Sequence, residues 1–360
     1  MSKSLLFIPD ISGYTKFIQT TEINHSQHVI SELLEVLVSA NILNLKLVEI
    51  EGDALFFYKE GDVPSQENLL AQIEGMFTAF HSHLELLKKN RICPCNACAT
   101  APDLELKIVA HIGDLQHIQV QGNRKPFGKH VIQAHRLLKN SVDSQNYALV
   151  SKALASEIGL PIYYYSKLFR FREGADTYDD EEIPYIFAVI DQEKLNLKGF
   201  VEPKKVGFDF PPQLILKERF EVSAETLLEA ITNYTTRHHW ADNVDKFEYN
   251  ENEVTRIGTE HICVINGKHL NFTAISKDVE PGKLVYGELA TSHPIFDEFN
   301  NFFVITPLSG TSCALETELY WKVKSPLKRI MLFLFLKKKI EKTFMRNLKQ
   351  LKHFVETEGV

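Results

Sequence analysis

Apolar positions along this chain follow two rhythms that trade places. Leu5-Leu6-Phe7-Ile8 is a short run of strand type, and it ends on Pro9 and Asp10. Over 29–40 the rhythm turns helical, with Ile30, Leu33, Leu34 and Leu37 on one stripe. Strand-type runs return at 43–50 and 54–58. Pro64-Ser65 opens a longer helix that carries Leu69, Ile73, Phe77, Phe80, Leu84 and Leu87 along one face. Then come strands at 104–112 and 115–121, a helix over 129–139, a strand at 146–150, a short helix at 151–157 and apolar strands at 161–169 and 184–190. Hairpins mixed with crossover helices predict an α+β sandwich on a ferredoxin-like core.

Residues 192–212 break both rhythms with Lys, Pro and Gly, which predicts a linker between a first domain at 1–191 and a second at 213–360. The second opens on a strand with Leu214, Leu216 and Phe220, and Ser223 caps a helix through Leu227, Leu228 and Ile231. Strand patterns follow at 245–250, 253–265, 268–277, 283–290, 297–306 and 312–323. Asn266-Gly267, Pro281-Gly282 and Ser309-Gly310 supply turns between them. A long helix starts at Pro326, with an apolar run over 330–336 and a stripe of Ile340, Phe344, Leu348, Leu351 and Val355. That stripe is expected to pack on the preceding sheet, so membrane contact is not expected.

A length of 360 residues suits about two domains. No run approaches the ~20 apolar residues of a membrane span, and no secretory leader is expected at the N-terminus. Three of the five cysteines are clustered, which points to a reducing compartment, the cytoplasm by default. The net charge of −7 argues against nucleic acid as a partner. An acidic tract over 173–182 is expected to be a solvated loop, and the lysines at 337–352 a solvated helix face.

Two acids carry the candidate chemistry. Asp10 ends a strand just before Ser12-Gly13, where a helical pattern begins and free backbone amides can hold an anion. Asp53 sits in the tight Glu51-Gly52-Asp53 turn between two strands. If those strands lie beside the first, the two carboxylates can share divalent cations, Mg2+ or Mn2+, as two-metal phosphoryl-transfer sites require. The amides of Ile11, Ser12, Gly13, Tyr14 and Thr15 would then cradle phosphate. Separately, Cys93, Cys95 and Cys98 could hold structural Zn2+, with His81 or His83 from the preceding helix as a fourth ligand.

Ile8-Pro9-Asp10-Ile11-Ser12-Gly13-Tyr14-Thr15 resembles the first metal motif of class III adenylate and guanylate cyclases. Gly52-Asp53-Ala54 resembles their second, His111-Ile112-Gly113 their central hairpin, and the helix from Gly128 to Leu137 the one bearing their late catalytic pair. The likeness covers roughly residues 1–160. It implies a ferredoxin-like fold, a nucleoside triphosphate as ligand and a site formed between two subunits of a homodimer. It also places a purine-reading pair at Glu49 and Lys125 and the transition-state arginine at Arg136. The family's ribose-orienting asparagine falls on Ile132, which cannot hydrogen-bond, so turnover is expected to be weak or lost unless His130, Gln133 or His135 substitutes.

The second half, with one early helix, a consecutive antiparallel sheet, a long final helix and Trp240, resembles the START-like, polyketide-cyclase (SRPBCC) superfamily. That implies a helix-grip fold in which Trp240, Phe272, Tyr286, Phe303 and Trp321 line a pocket for an apolar small molecule or lipid. The Arg237-His238-His239 run beside Trp240 reads as surface or packing. The leading expectation joins a degenerate, nucleotide-binding cyclase-like domain to an apolar-ligand domain. An active GTP or ATP cyclase and a non-enzymatic lipid-binding scaffold are the alternatives.

Overall fold

In a computed structural model, residues 3–200 and 205–358 are described, apart from Asn243, Asn252, Asn266 and Ser292. Part of the expected linker (201–204) and Asn266 of the expected turn therefore lie outside the described residues. Packing divides the chain into two units, residues 1–86 with 100–200 and residues 87–99 with 201–360.

The first unit grows around β1 (Lys3–Ser12), which is buried at every position from Ser4 to Pro9. A strand covered on both faces reads as a continuous apolar run, as Leu5 to Ile8 does. The chain continues through α1 (Tyr14–Thr20), α2 (Ile23–Ser39), β2 (Lys46–Glu51), β3 (Ala54–Lys59), α3 (Gln66–Lys89) and α4 (Asn96–Thr100). Next come β4 (Glu105–Asp114), β5 (Gln116–Val120), β6 (Asn123–Phe127), α5 (Lys129–Arg136), β7 (Tyr147–Ser151), α6 (Lys152–Glu157), β8 (Arg172–Tyr178) and β9 (Glu181–Val189). The sheet runs β2-β3-β1-β4-β7-β9-β8, with β4 and β7 parallel and the other neighbours antiparallel. Its first four strands, in the order 4-1-3-2, form the split βαβ arrangement of a ferredoxin-like sheet. α2 and α3 bury the predicted stripes, including Leu33, Leu37, Ile73 and Phe77. α5 and the turn after it lay Val131, Ala134 and Leu138 over Leu6, Ile8 and Phe56.

Two expectations need correction here, and one strand was not foreseen. Residues 161–169 are turns rather than a strand, joined to their surroundings by a lone bridge from Tyr165 to Arg170. The apolar character there reflects burial of Leu168 and Phe169, not strand pairing. The acidic tract is no solvated loop; it forms β8, a turn and the start of β9, with Asp176 accepting from the Tyr185 hydroxyl at 2.7 Å. β6, which pairs with β5 as a separate ribbon, has too little apolar pattern to be foreseen.

The second unit holds β10 (Leu214–Phe220), α7 (Ala224–Thr232), β11 (Lys246–Glu248), β12 (Glu260–Ile265), β13 (Lys268–Ile275), β14 (Leu284–Ala290), β15 (Glu298–Ser309) and β16 (Ser312–Lys322). They form one antiparallel sheet, β10-β16-β15-β14-β13-β12-β11. The 253–265 pattern becomes a strand only from Glu260. Ser223 caps α7, accepting from the Thr226 amide at 3.1 Å. A long C-terminal helix closes the chain: α8 (Pro326–Met331), a π-helical stretch at Leu332–Leu336, α9 (Lys337–His353) and a second π stretch at Phe354–Glu358. Leu348, Leu351, Phe354 and Val355 join Leu227, Leu228 and Ile231 of α7 in the core of this sheet.

Residues 87–99 belong to the second unit although they lie deep in the first half of the sequence. The Asn90 side chain donates to the Ile257 carbonyl at 2.9 Å, the Ile257 amide returns a bond to the Asn90 carbonyl at 2.9 Å, and Ile92 packs against the core. Among the described residues, no helix is long and apolar enough to cross a membrane.

Candidate functional site

The β1 register decides whether the two acids meet. Asp10 lies opposite Ala54 of β3 on one side and Lys107 of β4 on the other. Asp53 immediately precedes Ala54, and its carbonyl accepts from the Ile11 amide at 3.0 Å. Gly52, at φ +67°, permits the tight turn that returns the chain so closely. Burial and the Asp10 charge push Asp53 up to about 6. Burial also raises Asp10, against the pull of the Lys107 ammonium 3.5 Å away.

Lys107 is the site residue that sequence reading missed. Its one signal is a lone lysine inside the apolar run 104–112. Two hard oxygen donors suit a divalent cation such as Mg2+ or Mn2+, and the Lys107 ammonium beside Asp10 adds positive charge there. Among the described residues, no third acid, histidine or cysteine lies within ligand range of this pair. Ser12 is buried with its hydroxyl unpartnered among the described residues, and Gly13, at φ +89°, caps the seven-residue α1. Tyr14 stands over the Gly52 turn, its ring 3.9 Å from where a side chain at that glycine would begin.

Elsewhere the predicted residues are engaged with partners of their own. Glu49 and Lys125 are brought together, but as an exposed ion pair at 2.8 Å. Arg136, the last residue of α5, pairs with Asp179 in the turn between β8 and β9. Ile132 is 52% exposed on the same helix. His130 faces His111 at 3.1 Å, and burial plus that neighbour pulls His111 down to about 4. Gln133 donates to Glu181 at 3.0 Å, and His135 stands 3.4 Å from Glu51. The acidic tract thus serves as countercharge to α5, since Lys129 also reaches Glu181 at 2.6 Å.

The sulfurs of Cys93, Cys95 and Cys98 lie within 4.8 Å of one another. The neighbouring thiols, with burial, push Cys98 well above its ordinary range. These three thiols could hold a metal ion such as Zn2+. His81 and His83 are occupied elsewhere, by Asn146 at 3.1 Å and Glu32 at 2.8 Å.

Between the sheet and the C-terminal helix of the second unit lies a cavity of about 430 Å³. Trp240, Phe272 and Phe303 line it together with Phe296, Phe299 and Phe344. Tyr286 and Trp321 do not. The Tyr286 ring is fully buried, its hydroxyl bonded to Tyr234 and Glu288 at 2.8 Å each, while Trp321 packs on Phe296. One wall is polar, formed by Arg237, Glu288, Asn301 and Thr317. Arg237 is wholly buried, 2.5 Å from Glu288, and donates to the Ile231 carbonyl at 2.9 Å. Burial alone would raise Glu288, yet Arg237 and His261 hold it below the usual carboxylate range. Asn301 Oδ1 and Thr317 Oγ1 are buried without a partner among the described residues. Sequence pattern offered no sign of this wall, because its members come from the short helical turn Arg237–His239 after α7 and from three different strands. His239 stacks on Phe354, a packing role.

Residues 30–147 match a family described as a protein of unknown function, DUF2652. An uncharacterized protein of Mycobacterium tuberculosis, Rv2561/Rv2562, is 33% identical over 125 residues, 35% of this chain; the match spans 58% of that protein's length. Among solved structures, the adenylyl cyclase CyaB from Pseudomonas aeruginosa is similar at 17% identity and a TM-score of 0.40, over 54% of this chain and 97% of that one. The guanylate cyclase domain of RhGC from Catenaria anguillulae, solved with GTP, is similar at 14% identity and a TM-score of 0.37, over 52% and 97%. Likeness at this identity speaks of the course of the chain alone.

Proposed function

We propose that the first unit binds a nucleoside triphosphate through Mg2+ or Mn2+ held by Asp10 and Asp53, with cyclase turnover weak or lost. The observation that carries this reading is the delivery of two carboxylates by adjacent strands, Asp10 opposite Ala54 and Asp53 one residue before it, close enough for the Asp10 charge to help raise Asp53. A bound metal would neutralise triphosphate charge there. Lys107 would swing aside or add its own charge to that task, and the amides from Ile11 to Thr15 would approach the phosphates, with Ser12 and Gly13 leaving room. Reduced turnover is supported by the exposed Ile132, which offers no hydrogen bond to a ribose, and by the commitment of Arg136 to Asp179. Losing one such transition-state donor is worth about a hundredfold or more in rate. In a homodimer, the form the motif likeness implies, Arg136 would face the acids of a second chain.

Titrating a non-hydrolysable GTP or ATP analogue with Mn2+ into the full chain tests this. Saturable binding that disappears in Asp53→Ala is expected. No binding, or binding untouched by the substitution, overturns it. Cyclic nucleotide formed at normal enzymatic rates would instead favour the active-cyclase alternative.

For the second unit, the aromatic cavity supports uptake of an apolar small molecule or lipid. The unpartnered Asn301 and Thr317 favour a ligand with one hydroxyl or amide group at its polar end. Extraction of the purified chain into organic solvent followed by mass spectrometry is expected to yield such a molecule in stoichiometric amount. An extract free of it, together with no displaceable binding of anilinonaphthalene sulfonate, would remove the reading.

A further inference from the structure

The C-terminal helix carries an unbroken apolar run over 330–336, and part of it stays exposed. Leu332, Leu336, Ile340, Phe344 and Leu348 recur every four residues and turn toward the sheet. That spacing is wider than an α-helix keeps in line, and the π stretch at Leu332–Leu336 accommodates it. On the other side, Leu327, Ile330, Leu334 and Phe335 are 80, 58, 58 and 72% exposed. They fall on one face of the rod, and a contiguous apolar face of this kind marks an interaction surface.

Charge identifies the partner. From Lys324 to Lys339 there are six basic residues and no acidic one, on a chain whose net charge is −7. Lys328 and Arg329 reach the carbonyls of Pro294 and Val323, which leaves their charge uncancelled. Lys337 and Lys338 are exposed just past the apolar face.

We propose that the face from Leu327 to Lys338 docks on an anionic lipid surface, lying in the headgroup layer with Leu334 and Phe335 inserted and the lysines against lipid phosphates. The helical stripe alone predicts no membrane contact, and the uncovered face reverses that expectation. A second copy of the chain fits poorly, because self-complementary pairing about this face sets its six cations against the same six. The helix lies on the bilayer rather than through it, being too short in apolar length to span it.

Co-sedimentation of the full chain with vesicles tests the proposal. Binding is expected to vesicles holding about 30 mol% phosphatidylserine and to be lost on pure phosphatidylcholine, since each lysine near an anionic surface is worth roughly fivefold in partitioning. Lys337→Gln with Lys338→Gln should weaken binding about twentyfold or more. Leu334→Ser with Phe335→Ser changes only exposed side chains, so the fold should persist by circular dichroism while binding falls at least about tenfold. No binding to the anionic vesicles, or binding unchanged in both variants, overturns the proposal. So does a dimer in sedimentation equilibrium that the Leu334/Phe335 variant converts to monomer without any vesicle binding in the parent.

Discussion

Replacing Asp53 with asparagine removes a charge that the first unit holds unfavourably. Burial and Asp10 raise this carboxyl from 3.8 to about 6, roughly two units, and each unit corresponds to about 1.4 kcal/mol. The resulting ~3 kcal/mol is an upper bound, because Asp53 is half open to water, and solvent screening brings it to about 1–1.5 kcal/mol. The folded state binds this proton more tightly than the unfolded chain does. Stability from this group is therefore full below pH 4, is lost as pH rises from about 4 to 6, and stays level above. Asp53→Asn should exceed the parent by ~1 kcal/mol at pH 7 without metal and match it near pH 4. Mn2+ should stabilise the parent at pH 7 and leave the variant unmoved. Urea titration separates the units: Trp240 and Trp321 both lie in the second, so a loss of ellipticity without a change in tryptophan emission reports the first. A variant less stable than the parent at pH 7, or an equal response of both to Mn2+, would refute the reasoning.

The remaining predictions rest on other parts of the molecule. Purified protein should carry about one zinc per chain by elemental analysis, releasable by chelator and absent from Cys98→Ser. Glu288→Ala leaves the Arg237 guanidinium buried without its counterion and should cost the second unit about 3–5 kcal/mol in urea, read by tryptophan emission. Burial pulls both His111 and His261 down to about 4. Their contribution is full above pH 6.5 and lost as pH falls toward 4, and His111→Gln should flatten that decline in the first unit alone.

What the sequence made legible follows from which interactions are local. Asp10 could be placed because a strand buried on both faces writes an unbroken apolar run, and the run stops at the acid. The Gly52 turn could be placed because only glycine accepts that backbone conformation easily. The ferredoxin-like core then followed from hairpins mixed with crossover helices, while the strand order itself was not read from the sequence. Lys107 was illegible because its meaning depends on register across β1 and β4, strands separated by about a hundred residues of chain. The same holds for the polar wall of the cavity, which exists only where Arg237, Glu288, Asn301 and Thr317 converge. Residues 172–178 mix charged and small side chains with little apolar content, so edge pairing with β9 makes a strand that composition disguises. The exposed side of the C-terminal helix was hidden for the opposite reason, since an apolar run looks like core whether or not anything covers it.

The excursion at 87–99 has a practical consequence for anyone dissecting this gene. A fragment begun after residue 200 would start where the sequence changes character, yet it would lack Asn90 and Ile92, leaving the turn at Ile257 without its two hydrogen bonds to Asn90 and the core without the Ile92 side chain. Such a fragment should come out of expression sticky and poorly soluble, and its misbehaviour would say nothing about whether the C-terminal half can work on its own. Supplying 87–99 in trans as a synthetic peptide, or splicing it ahead of residue 201, is the design this topology calls for.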